Sequence, residues 1–383
     1  MAGPLSGIRI VEVGGIGPGP FGTMLLADMG ADIVRVDRVT NVGTGSDPKF
    51  NVLNRGRRSI AIDLTKTEGQ ETLIKLVEGA DALTEGFRPG VMEKLNVGPD
   101  ACLARNPRLV YARMTGWGQE GPYSMTAGHD INYISLAGAL AHFGLNGGPP
   151  VPPLNLVGDN GGGGMFLAFG VVCGILEARS SGAGQVIDVA MVDGAATLMS
   201  PFFGQLAAGG FVEERGSNSI DSGAPFYGAY ECADGEFISI GPLEPQFYAD
   251  LLKRLNLQDD PEFLNRDDRS LWPSLKRRFT EIFKSRTQAE WRATLEGTDV
   301  CFGPILRMSE AMKHPHNVHR KSFIEIEGVK QPAPAPRFSR TVAEVQRPSP
   351  RAGDQTREIL RDWAGYDDEH IANLVAAGAV AEA

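Results

Sequence analysis

Cysteine is scarce in this sequence of 383 residues, and basic side chains are in deficit. The four cysteines, Cys102, Cys173, Cys232 and Cys301, include no C-x-x-C pair, which excludes a disulfide framework and a thiolate zinc site. The 37 Lys and Arg residues against 47 Asp and Glu give a net charge of −10. Because nucleic-acid binding depends on neutralising phosphates, this balance disfavours a nucleic-acid partner but leaves room for a local anion site.

Long hydrophobic runs are also missing. The most apolar helical stretch, Met165–Leu176, is too short to cross a bilayer. Charged Arg9 and Glu12 interrupt any signal-peptide core, and the last residues, Ala381–Ala383, lack an S-K-L-type peroxisomal address. We therefore expect a soluble cytoplasmic protein without a membrane partner, while peroxisomal and mitochondrial locations stay open.

The N-terminal third alternates strand and helix patterns. Such alternation predicts right-handed βαβ units and a mostly parallel sheet covered on both faces, an α/β fold of the doubly wound, Rossmann-like type. The predicted strands are Ile8–Val13, Asp32–Asp37, Ser59–Leu64, Asp81–Glu85 and Arg108–Met114. The predicted helices are Phe21–Met29, Thr67–Glu78, His129–Phe143 and Gly163–Ser180.

A second, α+β region follows a Gly-rich connection. Phe226–Ile240 contains two alternating runs joined at Asp234-Gly235, a strong hairpin signal, and a helix is predicted at Pro245–Leu255. The run QPAPAP at 331–336 indicates an extended linker. Two amphipathic helices, Asp354–Trp363 and Asp367–Ala376, are predicted at the end of the chain.

The loop after the first strand formally matches a dinucleotide-binding fingerprint. Gly17 to Gly22 reads G-x-G-x-x-G, and Asp37 ends the next strand as a ribose-binding acid would. That motif presents backbone N–H groups to a pyrophosphate, however, and Pro18 and Pro20 have none. We interpret Pro20 as the first residue of a helix and set the dinucleotide interpretation aside.

Arginines near the predicted strand ends suggest an anion site. Arg38 and Arg88 each follow a strand, where ligands of open α/β sheets collect, and Asn54–Arg58 precedes another strand. Guanidinium groups suit phosphate because they donate in a planar fork. For any single arginine, the alternative is a solvent-exposed ion pair on the protein surface.

Three side chains are candidates for catalysis, each with an ordinary structural alternative. His129 could be a general base or a capping histidine, Asp159 a catalytic acid or an N-cap, and Glu244 a catalytic carboxylate or a first-turn helix residue. The cluster HPHNVH at 314–319 lacks a carboxylate or cysteine at ligand spacing, so no metal is expected there.

A resemblance to a known protein family adds to what these residues indicate. The chain resembles the racemase branch of the family III CoA-transferases (CaiB/BaiF type) in ordered runs that extend to about Pro336. These runs are GPGPFGTMLLADMGADIVRVDR (17–38), NRGRRSIAIDL (54–64), GFRPGVMEKL (86–95), AGHDINYISLAGAL (127–140), PLNLVGDNGGGG (153–164), GAPFYGAYECADGEF (223–237) and IGPLEPQFYADLL (240–252).

The resemblance implies an interlocked homodimer. A large α/β domain would span 1–196 and be completed by 337–383, a small α+β domain would span 226–312, and 197–225 and 313–336 would be linkers. His129 and Asp159 would be the two catalytic acid/bases, and Glu244 from the partner chain would pair with His129.

The resemblance also implies an acyl-CoA substrate, with no separate cofactor and no metal. Coenzyme A would lie along Arg38, Ala61, Glu85, Arg88, Gly116 and Gly118. A backbone N–H near Asp130 would meet the thioester oxygen. Lys94 departs from the arginine of many relatives and offers phosphate a point charge instead of a planar fork.

Two enzymatic functions and one binding function follow. The first is interconversion of (2R)- and (2S)-2-methylacyl-CoA thioesters through an enolate, by a base on each face of the α-carbon. The second is CoA transfer between carboxylic acids with Asp159 as nucleophile, which needs no base such as His129. The third is non-catalytic acyl-CoA binding. The acyl chain stays open because a pocket distinguishes one methylene by only about 1–3 kcal/mol.

Overall fold

The computed structural model describes residues 3–383, which group into two units. The first unit combines the chain up to Ala137 with Leu154–Leu198 and Lys321–Ala383, and the second combines Gly138–Pro153 with Met199–Arg320. The C-terminal segment thus groups with the N-terminal part of the chain. The large and small domains expected from the resemblance, with their linkers, stay a prediction.

The elements of the first unit come before and after those of the second in the sequence. Up to Leu198 they are β1 Arg9–Val13, α1 Pro18–Asp28, β2 Asp32–Asp37, β3 Arg58–Ile62, α2 Thr67–Glu78, β4 Ala82–Glu85, α3 Val91–Lys94, α4 Pro99–Arg105, β5 Val110–Thr115, α5 Asp130–Leu136, a π-helical segment Leu156–Met165, α6 Phe166–Ser181, β6 Gln185–Ala190 and α7 Met191–Leu198. The second unit has α8 Ser200–Ala207, β7 Gly228–Glu231, β8 Phe237–Ile240, α9 Pro245–Arg254, α10 Pro261–Leu264, α11 Trp272–Phe283, α12 Gln288–Leu295, β9 Phe302–Ile305, α13 Met308–Ala311 and α14 Pro315–His319. The chain then adds β10 Phe323–Ile326, β11 Val329–Pro332, α15 Thr356–Asp362, α16 Asp368–Ala376 and β12 Val380–Ala381 to the first unit.

A seven-stranded sheet organises the first unit, in the order β12-β3-β2-β1-β4-β5-β6. All its pairs are parallel except that of β12 with β3. Side chains of successive residues point to opposite faces of a strand. Ile10 accordingly packs with Leu167 and Val171 of α6, whereas Val11 packs on the other face with Leu73 of α2. The predicted mixed α/β class is confirmed.

The C-terminal segment is built into this sheet. Ile359 of α15 and Ile371 of α16 are buried in the same core cluster as strand β3. Thr356 Oγ1 accepts a hydrogen bond from the backbone N–H of Ala61 at 3.2 Å and donates to the carbonyl of Ala381 at 2.7 Å. The sheet edge at β3 is therefore covered by residues about 300 positions later in the sequence.

The helix that carries the glycine run is longer than the sequence predicted. It starts in the π-helical segment at Leu156 and continues through α6 to Ser181, a stretch of 26 residues that contains an 18-residue window with mean hydropathy 1.6. By length and composition alone it is the one helix within residues 3–383 that could cross a membrane, and half of its apolar window is buried in the protein. The prediction that this stretch is too short was therefore wrong, because the π-helical turns extend it.

The second unit has its own core. Strands β7, β8 and β9 form an antiparallel sheet in that order, and the β7–β8 hairpin turns at the predicted Asp234-Gly235. Phe263, Phe279 and Phe283 are fully buried together beneath it. Each large apolar side chain buried in this way contributes about 1.5–3 kcal/mol of transfer free energy.

Several element bounds differ from the predictions. Helix α1 begins at Pro18 rather than Phe21, because Gly17 with φ 68° serves as its N-cap and proline suits the first helical position. Helix α5 ends at Leu136 rather than Phe143, followed by Gly138 with φ 80°. The linker predicted at 331–336 begins inside β11, where Gln331 is buried and accepts a hydrogen bond from Arg55.

Candidate active site

His129 and Asp159 both belong to the first unit, on two segments joined by a hydrogen bond. His129 is the exposed N-cap of α5, and its backbone N–H donates to Oδ1 of Asn132 at 3.0 Å. Asp159 lies in the π-helical segment, and its backbone N–H donates to Oδ1 of Asp130 at 2.7 Å. The two predicted acid/bases are thus brought to one place.

The Asp159 carboxylate is half-buried and faces the loop that precedes α1. A Cβ atom added to Gly17 would lie 3.3 Å from Oδ2 of Asp159, and Asn155 Nδ2 donates to the same oxygen at 3.1 Å. Burial raises the pKa of Asp159; the hydrogen bond from Asn155 opposes this rise, the Asp130 charge adds to it, and His129 opposes it. A carboxyl group with a raised pKa is suited to proton transfer.

The loop that matched the dinucleotide fingerprint therefore serves a different purpose. Gly17 lies against the Asp159 carboxylate. Asp37, the candidate ribose-binding acid, accepts hydrogen bonds from Arg35 Nε at 3.1 Å and from Ser59 Oγ at 2.8 Å. Asp37 is therefore engaged in contacts within the protein.

Tyr133 is a site residue that the sequence reasoning missed. Its hydroxyl donates to the carbonyl of Gly128, directly before His129, and its ring leaves no room for a side chain at Gly116. Burial raises the pKa of Tyr133; the charge of Asp159 adds to the rise, and that of Arg88 opposes it. The signal in the sequence was the four-residue spacing between His129 and Tyr133, one helical turn. Asn155 and Asp159 have the same spacing.

The residues expected along coenzyme A all lie in the first unit. Arg38 and Arg88 are exposed and follow β2 and β4, at the edge where the parallel strands end. Gly116 and Gly118 follow β5; Gly118 has φ 92°, and its N–H donates to Thr115 Oγ1 at 2.9 Å.

Ala61 and Glu85 have protein partners at these positions. The N–H of Ala61, inside β3, donates to Thr356 as described above. Glu85 accepts from the backbone of Phe87 at 2.7 Å and from Arg113 Nε at 3.0 Å, and burial raises its pKa. Lys94 ends α3 with an exposed side chain.

Glu244 is the exposed N-cap of α9 in the second unit. Its pairing with a partner's His129 stays a prediction. In the histidine cluster, Nε2 of His314 contacts Oε1 of Glu296 at 2.7 Å. Within residues 3–383, no three His, Cys, Asp or Glu side chains group closely enough to hold a metal ion.

Known proteins resemble this chain over almost its whole length. The chain is 45% identical over 372 residues to "Alpha-methylacyl-CoA racemase" of Mus musculus, covering 97% of this chain and 96% of that protein. The Homo sapiens protein of the same name is 43% identical, again covering 97% and 96%. A crystal structure of a CAIB/BAIF family protein from Brucella suis matches with a TM-score of 0.82 and 25% identity, covering 95% of this chain and all of that one.

The family model of the CoA-transferase family III matches residues 5–356. That span holds His129, Asp159 and Glu244 together with every residue expected to contact coenzyme A. This chain therefore belongs to the CoA-transferase family III.

Proposed function

We propose that this protein is an isomerase that interconverts (2R)- and (2S)-2-methylacyl-CoA thioesters. The main support is that the segments of His129 and Asp159 are held together. The backbone N–H of Asp159 donates a 2.7 Å hydrogen bond to Asp130, the residue after His129. The mouse and human relatives, both named alpha-methylacyl-CoA racemase, support the same activity. Coenzyme A enters only as part of the substrate, and we propose the cytoplasm as the location.

In the proposed reaction, one of the two side chains removes the α-proton. The C–H bond breaks, its electron pair is delocalised into the thioester as an enolate, and the proton moves to His129 or Asp159 according to the substrate's configuration. The other side chain then donates a proton to the opposite face of the α-carbon. No second substrate is consumed, and the backbone N–H of Asp130 is our candidate donor to the developing enolate oxygen.

The activity is tested by incubating one epimer of a 2-methylacyl-CoA in D₂O without any added acid. We expect deuterium at C2 and formation of the other epimer, because each base exchanges its proton with solvent. Acyl exchange into an added carboxylic acid with no label at C2 would instead establish the transferase chemistry, with Asp159 as nucleophile. Binding without either reaction would establish the non-catalytic alternative.

Glu244 enters this proposal through a homodimer, in which it would hold the imidazole of the partner's His129. An exposed apolar stripe along α6 supports dimer formation. Met165, directly before α6, and Phe169 and Leu176 within it are 52%, 68% and 63% exposed, and their spacing places them on one helix face. An exposed patch of large apolar side chains on a helix is characteristic of an interaction surface.

The substitution Phe169→Glu tests this dimer. A buried central anchor of an interface is worth about 2 kcal/mol or more, so we expect dimer dissociation to become about 30-fold more favourable. Light scattering over a dilution series measures the change, with the exposed Asn373→Glu as the control for added negative charge. A fully active monomeric wild type would contradict the shared active site.

Arg38 and Arg88 are expected to affect substrate binding rather than the proton transfer. We propose that they bind phosphate groups of the substrate, which take no part in the reaction, so they would stabilise the ground state and the transition state alike. We expect Arg38→Ala and Arg88→Ala to raise KM for the acyl-CoA about tenfold or more while changing kcat much less. Steady-state kinetics decide; a fall in kcat at constant KM would assign these arginines to catalysis or structure.

A further inference from the structure

The Asp130 carboxylate makes a contact that is separate from the role expected for the Asp130 backbone N–H. Asp130 is the first residue of α5, directly after His129, and the residue is only 6% exposed. Oδ1 accepts the hydrogen bond from the Asp159 backbone, 29 residues later in the sequence. Oδ2 is buried and has no hydrogen-bond partner among residues 3–383.

The space around this carboxylate is tight. A Cβ atom at Gly158 would lie 2.5 Å from Oδ1 of Asp130 and 3.2 Å from its Cα. Glycine before Asp159 therefore lets the peptide between residues 158 and 159 approach the Asp130 carboxylate. Burying a carboxylate with an unpartnered oxygen is unfavourable, so this arrangement lowers the stability of the fold.

We propose that Asp130 is a positioning residue, whose carboxylate holds the Asp159 peptide and thereby fixes the Asp159 side chain against Gly17. The inference rests on the proposed function, because it assigns Asp159 to one face of the substrate's α-carbon. His129 and Asp130 are consecutive, so the same turn of α5 that presents one base also holds the segment that presents the other.

The surroundings of Asp159 give Asp130 a second effect, on protonation. Two groups at the start of α5 influence the protonation of Asp159: His129 lowers the pKa of Asp159, and Asp130 raises it. Tyr133 of the same helix also interacts electrostatically with Asp159, and Asn155 of its own segment donates a hydrogen bond to it. Gly17, on the α1 side, has no charged side chain.

The experiment measures deuterium incorporation at C2 separately from each epimer, in D₂O. A histidine or carboxyl group can abstract and return a proton on its own face after exchanging it with solvent, without inversion. One epimer presents its α-proton to Asp159 and the other presents it to His129. We expect Asp130→Ala to lower the exchange rate of the first epimer about tenfold more than that of the second. Asp130→Asn keeps an acceptor oxygen for the Asp159 N–H and should restore most of the lost exchange.

The pH profile gives an independent readout in Asp130→Asn. Removing the neighbouring negative charge lowers the pKa of Asp159, so exchange from the Asp159-facing epimer should persist to lower pH than in the wild type. Asp100→Asn, at an exposed first-turn aspartate of α4, is the matched control and should change neither readout. Equilibrium binding of free coenzyme A should be the same in all variants.

These measurements distinguish failure of the proposed function from failure of the positioning role. A wild type that exchanges no C2 proton overturns the proposed function. A wild type that exchanges both epimers, combined with an Asp130→Ala variant that loses both equally or neither, overturns the positioning role alone. Should Asp130→Ala not fold, Asp130→Leu, which has a similar volume and no acceptor oxygen, is measured in its place, and equal loss from both epimers or from neither overturns the positioning role in the same way.

Discussion

His129→Ala should abolish interconversion of the two epimers while leaving coenzyme A bound. A positioned acid/base contributes about 10²–10⁴-fold to a proton transfer, and this reaction needs one on each face of the α-carbon. His129 is exposed at the start of α5, so truncating it leaves no cavity and removes no core contact. The loss should therefore be in kcat rather than in stability or affinity.

The measurement is the rate of C2 inversion by NMR or chiral analysis, paired with calorimetric titration of coenzyme A. His319→Ala, at an exposed histidine that ends α14 in the second unit, is the control and should keep full activity. Undiminished inversion in His129→Ala would contradict the two-base proposal. Loss of both inversion and binding would indicate a structural role for the imidazole.

Arg57→Ala should be strongly destabilising. Arg57 is fully buried, and its Nε lies 3.0 Å from Oε2 of Glu12 in the central strand β1. Its guanidinium also donates to Asn54 Oδ1 at 3.1 Å and to the carbonyl of Pro20. Removing one partner of a buried ion pair leaves the other charge uncompensated and costs about 3–5 kcal/mol.

Urea denaturation followed by circular dichroism measures this loss of unfolding free energy. The exposed Arg320→Ala is the control and should change stability by no more than about 0.5 kcal/mol. The double variant Glu12→Gln/Arg57→Met removes both charges together, and we expect it to recover part of the loss. A single variant as stable as the wild type would show that the pair is dispensable.

The buried ion pair also bears on the site. Burial lowers the pKa of Arg57 to about 10, and its contact with the Pro20 carbonyl ties it to the first turn of α1. Gly17, at the start of the same helix, lies against the Asp159 carboxylate. A loss of stability in Arg57→Ala should therefore be accompanied by lower activity even where the variant is folded.

The spacing of apolar residues predicted those helices and strands whose pattern fits a single kind of element. Strand β2 and helix α2 have the bounds expected. The strand is a short run with apolar residues buried on both faces, and the helix has clear helical spacing. Strand β6 was missed although it pairs with β5 along its whole length. Its first residues are exposed at the sheet edge, so no buried face shows in their sequence.

The sequence by itself determined the α/β class and the family, and it supplied the candidates His129, Asp159 and Glu244 from their runs of neighbouring residues. It gave no sign that Asp130 would bind the backbone of Asp159, that Gly17 would face that carboxylate, or that Arg57 would neutralise Glu12. These contacts join residues 29 or more positions apart. The Gly17 contact forms because the parallel sheet brings the loops after β1 and β5 to the same edge. The Arg57–Glu12 pair forms because β3 and β1 lie on either side of β2, and burial strengthens the contact there.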